Sequence, residues 1–196
     1  VALSAGIALK DEFRPGERFG SDHGEFRPSE RLASDHIERV RLPLAALAQD
    51  DPHTLDLLRR WEDLRQGGLL PLKTDLDPLA LKPFLGRVHI VETTAENPEN
   101  YFFRLWASDV RFDGGSDYTS LHLRDYPHAP YRKAVMQDYW DAVNSGVPAY
   151  HRVFAINDSR LYEYARLILP FSKDGTAVSH LLVHVRNLRR PALVAT

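Results

Sequence analysis

No cysteine occurs in the 196 residues, which removes disulfides, thiolate metal sites and cysteine nucleophiles at once. That absence fits a reducing compartment, and a cytoplasmic location is the expectation. There is one methionine and no apolar run long enough to cross a bilayer. Residues 1–9 are too short and unflanked for a secretory signal, and the start on Val1 points to trimming or processing. A basic excess is missing too: 25 Lys and Arg stand against 27 Asp and Glu, a net charge of −2. A dedicated nucleic-acid binder carries surplus cations, so neither nucleic acid nor membrane is an expected partner. The Gly-x-Ser-x-Gly elbow and the Gly-Lys-Ser/Thr phosphate loop are also absent. Gly114-Gly115 lacks the flanking strand and helix of a dinucleotide turn.

Hydrophobic residues make up 43% of the chain, enough for a packed core in one domain with an extension. Residues 1–50 read as a flexible, partly helical N-terminal extension, and residues 51–190 as the folded domain. The extension holds a duplication offset by thirteen: Glu12-Phe13-Arg14-Pro15 recurs as Glu25-Phe26-Arg27-Pro28, and Ser21-Asp22-His23 as Ser34-Asp35-His36. Gly16 and Gly20 become Ser29 and Ala33, so the second copy reads as a helix capped at Ser29. Two copies are too few for a solenoid, and a tandem duplication in a tolerant tail accounts for them. Residues 1–28 are expected to be dispensable for folding.

Asp51-Pro52 is a cap followed by proline at the first helical position. Leu57, Trp61 and Leu64 then recur at helical spacing until Gly67-Gly68. From Gly86 the texture becomes strand-like. Residues 87–92 and 101–106 form a hairpin around Asn97-Pro98, and 149–157, 160–170 and 177–188 form three more strands. Between the groups lie an irregular stretch, 109–130, and an amphipathic helix, 131–144, with Val135, Tyr139, Ala142 and Val143 on one face. The pattern predicts an α+β domain: a five-stranded antiparallel sheet with helices on one face, preceded by the N-terminal helical extension.

That order resembles the PAS domain, and more closely a bacterial group of short PAS-like proteins with a helical N-terminus. The residues that carry the resemblance are Leu57-Leu58-Arg59-Arg60-Trp61, Gly67-Gly68, Pro71, Asp75-Leu76-Asp77-Pro78, Phe103-Arg104-Leu105, Asp117-Tyr118-Thr119, Tyr162-Glu163 and Leu169-Pro170-Phe171-Ser172 with Asp174-Gly175. It covers residues 54–188, and the ordered set rather than any single motif makes the case. Ala107 and Ser120 depart from it, standing where that group usually has glycine. The resemblance implies a sensory or regulatory role in signal transduction, through small-molecule binding, protein contact or both. It does not imply catalysis or a particular ligand. No output domain fits in the remaining residues, so a stand-alone module signalling through a protein partner is expected.

Nine histidines invite a metal or haem. His180 and His184 would chelate on a helix, but on a strand they lie about 13 Å apart at roughly 3.3 Å per residue. His122, Asp125 and His128 read as surface groups, so neither metal nor cofactor is expected. The alternative is a cup-shaped isomerase or dehydratase, which needs a buried acid–base pair. His122 with Asp125 is its one candidate. Trp106, Tyr126, Tyr131 and Trp140 are candidate pocket walls over a floor of Leu105, Leu167, Leu181 and Val183. Arg104 and Arg166 could hold the acidic end of a ligand. Leu57, Trp61, Leu64 and the outward Leu182 are candidates for covering the sheet or for a homodimer contact.

Overall fold

A computed structural model describes residues 37–65, 70–110, 116–157, 160–188 and 192–193. The duplicated segment, its Ser29-capped helix, Gly67-Gly68 and Gly114-Gly115 lie outside the described residues. The strands are β1 (Ile37–Leu42), β2 (Val88–Glu92), β3 (Phe102–Leu105), β4 (Ala149–Asn157), β5 (Arg160–Ser172), β6 (Val178–Asn187) and β7 (Ala192–Leu193). The helices are α1 (Leu47–Asp50), α2 (Pro52–Leu64) and α3 (Ala129–Ser145). All strand pairings are antiparallel, in the order β1-β4-β5-β6-β2-β3, and β7 pairs with β5.

The turns follow from their residues. The Asn97 side chain accepts from Glu99 N–H, and Pro98 opens the 3₁₀ turn between β2 and β3. Between β5 and β6, Ser172 Oγ accepts from the N–H groups of Asp174 and Gly175, and Gly175 takes φ +84°. Asp51 caps α2 by accepting from His53 and Thr54 N–H, with Pro52 behind it. Gly146, at φ +65°, ends α3.

The fold is the α+β, antiparallel, PAS-like one expected, with two additions. First, β1 adds a sixth strand by pairing with β4 from Ile37–Ala155 to Leu42–Tyr150. It belongs to the segment read as an extension. Only its end residues are even half-buried, so the strand carries little apolar signal. Second, helices cover both faces rather than one. Along β5 the pleat alternates: Tyr164, Arg166 and Ile168 face α3, while Ala165, Leu167 and Leu169 face α2.

That alternation corrects part of the expected pocket floor. Leu181 and Val183 do face α3, but Leu167 lies in the core beneath α2. Leu105 is 37% exposed. A bulge between Ile90 and Val91 shifts the β2–β3 register, so Leu105 pairs with Ile90 and Phe103 with Val91. In the second core Leu57, Trp61 and Leu182 are buried, and Leu64 packs against them. Trp61 donates its indole N–H to the Pro170 carbonyl at 2.6 Å. Leu57 and Trp61 are thus spent on the chain's own sheet.

Candidate functional site

Helix α3 buries Tyr131, Ala134, Val135, Asp138, Tyr139 and Ala142. The spacing is one helical stripe, and one of its members is an acid. Asp138, 4% exposed, meets Arg166 of β5, 2% exposed, in an ion pair between helix and sheet. Its other oxygen accepts from Arg39 Nε of β1 at 2.7 Å and lies 3.8 Å from His151 Nε2. Three tyrosines surround the pair. Tyr164 donates to Tyr131 OH at 3.1 Å, and the Arg166 guanidinium lies 5.7 Å from the Tyr139 ring centre. Burial alone would lower the Arg166 pKa, but the Asp138 carboxylate outweighs it and holds the pKa above the ordinary arginine value. Burial, helped by Arg166, pushes His151 down to about 4, so its ring is neutral near pH 7. Arg166 Nε and His151 Nδ1 are buried without a hydrogen-bond partner among the described residues.

The aromatic candidates converge beside this pair. Trp106 lies 4.9 Å from Tyr118 and 6.0 Å from Tyr126, centre to centre, and Tyr126 lies 4.9 Å from Tyr131. Trp140 packs against the same core, half-buried. The His89 ring sits 4.1 Å from Trp106 and accepts from Ala107 N–H. Trp106 Nε1 and Tyr101 OH are buried without partners among the described residues. Burial pushes the Tyr101 phenol up to about 12, so it remains a donor. Arg104 goes elsewhere: it pairs with Glu92 on the exposed side of β3, at 2.6 Å from Nε to Oε2. Of the two candidate arginines, the fold brings Arg166 to the interior and leaves Arg104 outside. Ser120, in place of the glycine usual in the resembling group, takes φ +68°, the left-handed conformation that glycine adopts without strain.

His122 Nδ1 lies 3.8 Å from Asp125, with both side chains substantially exposed, and the Asp125 carboxylate accepts from His122 N–H. This is a turn-capping contact rather than a cavity acid–base pair. His180 and His184 share one face of β6, as strand spacing requires, and both are buried. His184 Nδ1 meets Thr54 Oγ1 at 3.1 Å, and Thr54 donates to Asp51. Among the described residues no group of three or more His, Asp or Glu is placed to hold a metal. No helix among them is long and apolar enough to cross a membrane.

Burial is the main reason that four histidines are held neutral. His89 is pushed down to about 3, and His151, His180 and His184 to about 4. In the unfolded chain each returns to about 6.5. Their stabilising contribution is therefore complete above about pH 6.5 and is lost as pH falls towards 4, because the unfolded chain takes up protons that the folded one refuses. Unfolding near pH ~5.5 is expected to take up several protons. Calorimetry in buffers of different ionisation enthalpy reads this directly. A stability unchanged between about pH 7 and 5 would contradict it.

Residues 49–119 match a family model described as a PAS domain. The matched segment carries α2, β2 and β3 with Tyr101 and Trp106, and the polar site lies outside it, on β1, α3, β4 and β5. No curated protein and no solved structure matches the chain.

Proposed function

We propose, from the match of residues 49–119 to a PAS-domain model, a family of sensory and signalling modules, that this chain is a cytoplasmic, non-enzymatic bacterial sensor. It binds a small molecule between the sheet and the α3 side, and it passes the signal on as a homodimer or through a protein partner. The observation that supports ligand binding is the pair of unpartnered buried donors, Trp106 Nε1 and Tyr101 OH, in an otherwise aromatic interior. A buried donor without an acceptor costs about 1–3 kcal/mol. A mostly apolar ligand carrying acceptors would satisfy them.

Native mass spectrometry of freshly purified protein tests the reading. A bound small molecule is expected in the native chain, with at least tenfold lower occupancy in Trp106→Phe, which keeps an aromatic ring and removes the donor. A ligand retained equally by Trp106→Phe, Tyr126→Ala and Trp140→Ala lies elsewhere. A chain that carries none, and is stabilised by none of a metabolite panel, leaves signalling by protein contact. One observation favours that second reading: an apolar cavity of about 310 Å³ on the outer face is lined by Leu76, Leu81, Phe171 and Leu182 and rimmed by exposed Leu85 and Leu105. The enzyme reading loses the one pair that the sequence offered it, since His122 and Asp125 lie at the surface.

A further inference from the structure

A second cavity, of about 180 Å³, opens on the flank of the domain, where β1 runs beside β4 under the last two turns of α3. Arg39, Arg41, Asp138, Asp141, Ser145 and His151 line it. It lies apart from the aromatic interior, and three features give it the character of a binding site.

The first is an excess of donors. Asp138 has both oxygens engaged, one by Arg166 and one by Arg39. Asp141 accepts from Gln137 at 2.8 Å. Arg41 has no ion-pair partner among the described residues, and Arg39 engages Asp138 through Nε, leaving its terminal nitrogens to the cavity. The second is His151, buried in the cavity wall, whose Nδ1 has no partner among the described residues. Its ring is neutral near pH 7 and adds no charge to the cavity wall. The third is placement. Arg41 and His151 are directly paired residues of β1 and β4, and Arg39 stands two residues along on the same face, so the strand pairing itself presents the donors.

Charge decides which anion fits. Arg39 and Arg41 in the wall, with the buried Arg166 behind Asp138, oppose Asp138 and Asp141, which leaves one positive charge over. A dianion would be repelled by two carboxylates in or beside the cavity. A carboxylate also matches the planar fork of a guanidinium. At about 180 Å³ the cavity suits a small ligand rather than a large one. We propose that the cavity between β1, β4 and α3 is a binding site for a small monocarboxylate, with the carboxylate on Arg41 and the terminal nitrogens of Arg39, against the wall that His151 forms.

Lactate is a suitable probe, titrated calorimetrically into the full chain at constant ionic strength, with lactamide and inorganic phosphate as controls. Lactate is expected to bind saturably, lactamide not at all, and phosphate at least tenfold more weakly. Arg41→Gln, an exposed substitution outside both cores, is expected to weaken lactate at least tenfold while leaving the melting temperature of the free protein unchanged. Asp141→Asn is expected to tighten lactate several-fold by removing a like charge from the cavity wall. The proposal is overturned by any of four results: no saturable binding of lactate, equal affinity in Arg41→Gln, phosphate binding as tightly as lactate, or an Asp141→Asn variant that binds more weakly. Occupancy of the interior, read separately by the Trp106→Phe comparison, does not bear on these outcomes.

Discussion

Asp138→Ala is expected to lower folding stability by about 3–5 kcal/mol, because it leaves Arg166 charged and buried beneath α3 without its partner. The loss comes from the stranded guanidinium more than from the missing attraction. Both groups are desolvated in the folded chain, and the net gain from pairing them is small. Asp138→Leu combined with Arg166→Met is therefore expected to recover most of the loss, with Arg39 turning outward to solvent. Urea denaturation of the wild type, both single variants and the double variant measures the cycle. A double variant as unstable as Asp138→Ala would show that the pair itself holds α3 to the sheet. The distinction matters for signalling. A pair that contributes little net stability, yet is costly to break, leaves α3 with one well-defined seat on the sheet.

Trp61→Ala is expected to cost about 3–5 kcal/mol, the range for emptying a buried aromatic site. Trp61 is 2% exposed, lies between α2 and the outer face of β5, and anchors the Pro170 carbonyl through its indole N–H. Trp61→Phe keeps a ring in the site but leaves that carbonyl unpaired, and a loss of about 1–3 kcal/mol is expected. If the residue acts only within the chain, both losses are independent of protein concentration. Losses that grow on dilution would place Trp61 in a contact between chains instead.

The elements with regular periodicity were legible in the sequence. Leu57, Trp61 and Leu64 marked α2 and its buried face, and the alternation of β6 marked a strand with Leu181, Val183 and Val185 towards α3 and Leu182 towards the other side. The meeting of the aromatics was legible too, since Trp106, Tyr126 and Tyr131 share one core cluster. Two things were not. β1 is an edge strand read as Ile-Glu-Arg-Val-Arg-Leu, whose burial is confined to its ends, so its place rests on pairing with a distant strand. The centre of the polar site was missed because Asp138 was not weighed among the apolar positions of α3. The available signal was an acid three residues after Val135 and one before Tyr139, inside the buried stripe. An acid there is stable only opposite a cation, and the strands supply two, Arg166 and Arg39. Local pattern also could not separate Arg166 from Arg104. Only the pairing of strands sends one inward and leaves the other with Glu92.

The pairing of β1 with β4 has a consequence for synthesis of the chain. The first strand leaves the ribosome more than a hundred residues before its partner, since Ile37 pairs with Ala155. At roughly 5–20 residues per second, it waits on the order of ten seconds with its backbone unpaired. Closing so long a loop is slow, so this edge is protected late. Glu38, Arg39 and Arg41 then have an earlier role as charges that keep a waiting strand from pairing with a neighbouring nascent chain.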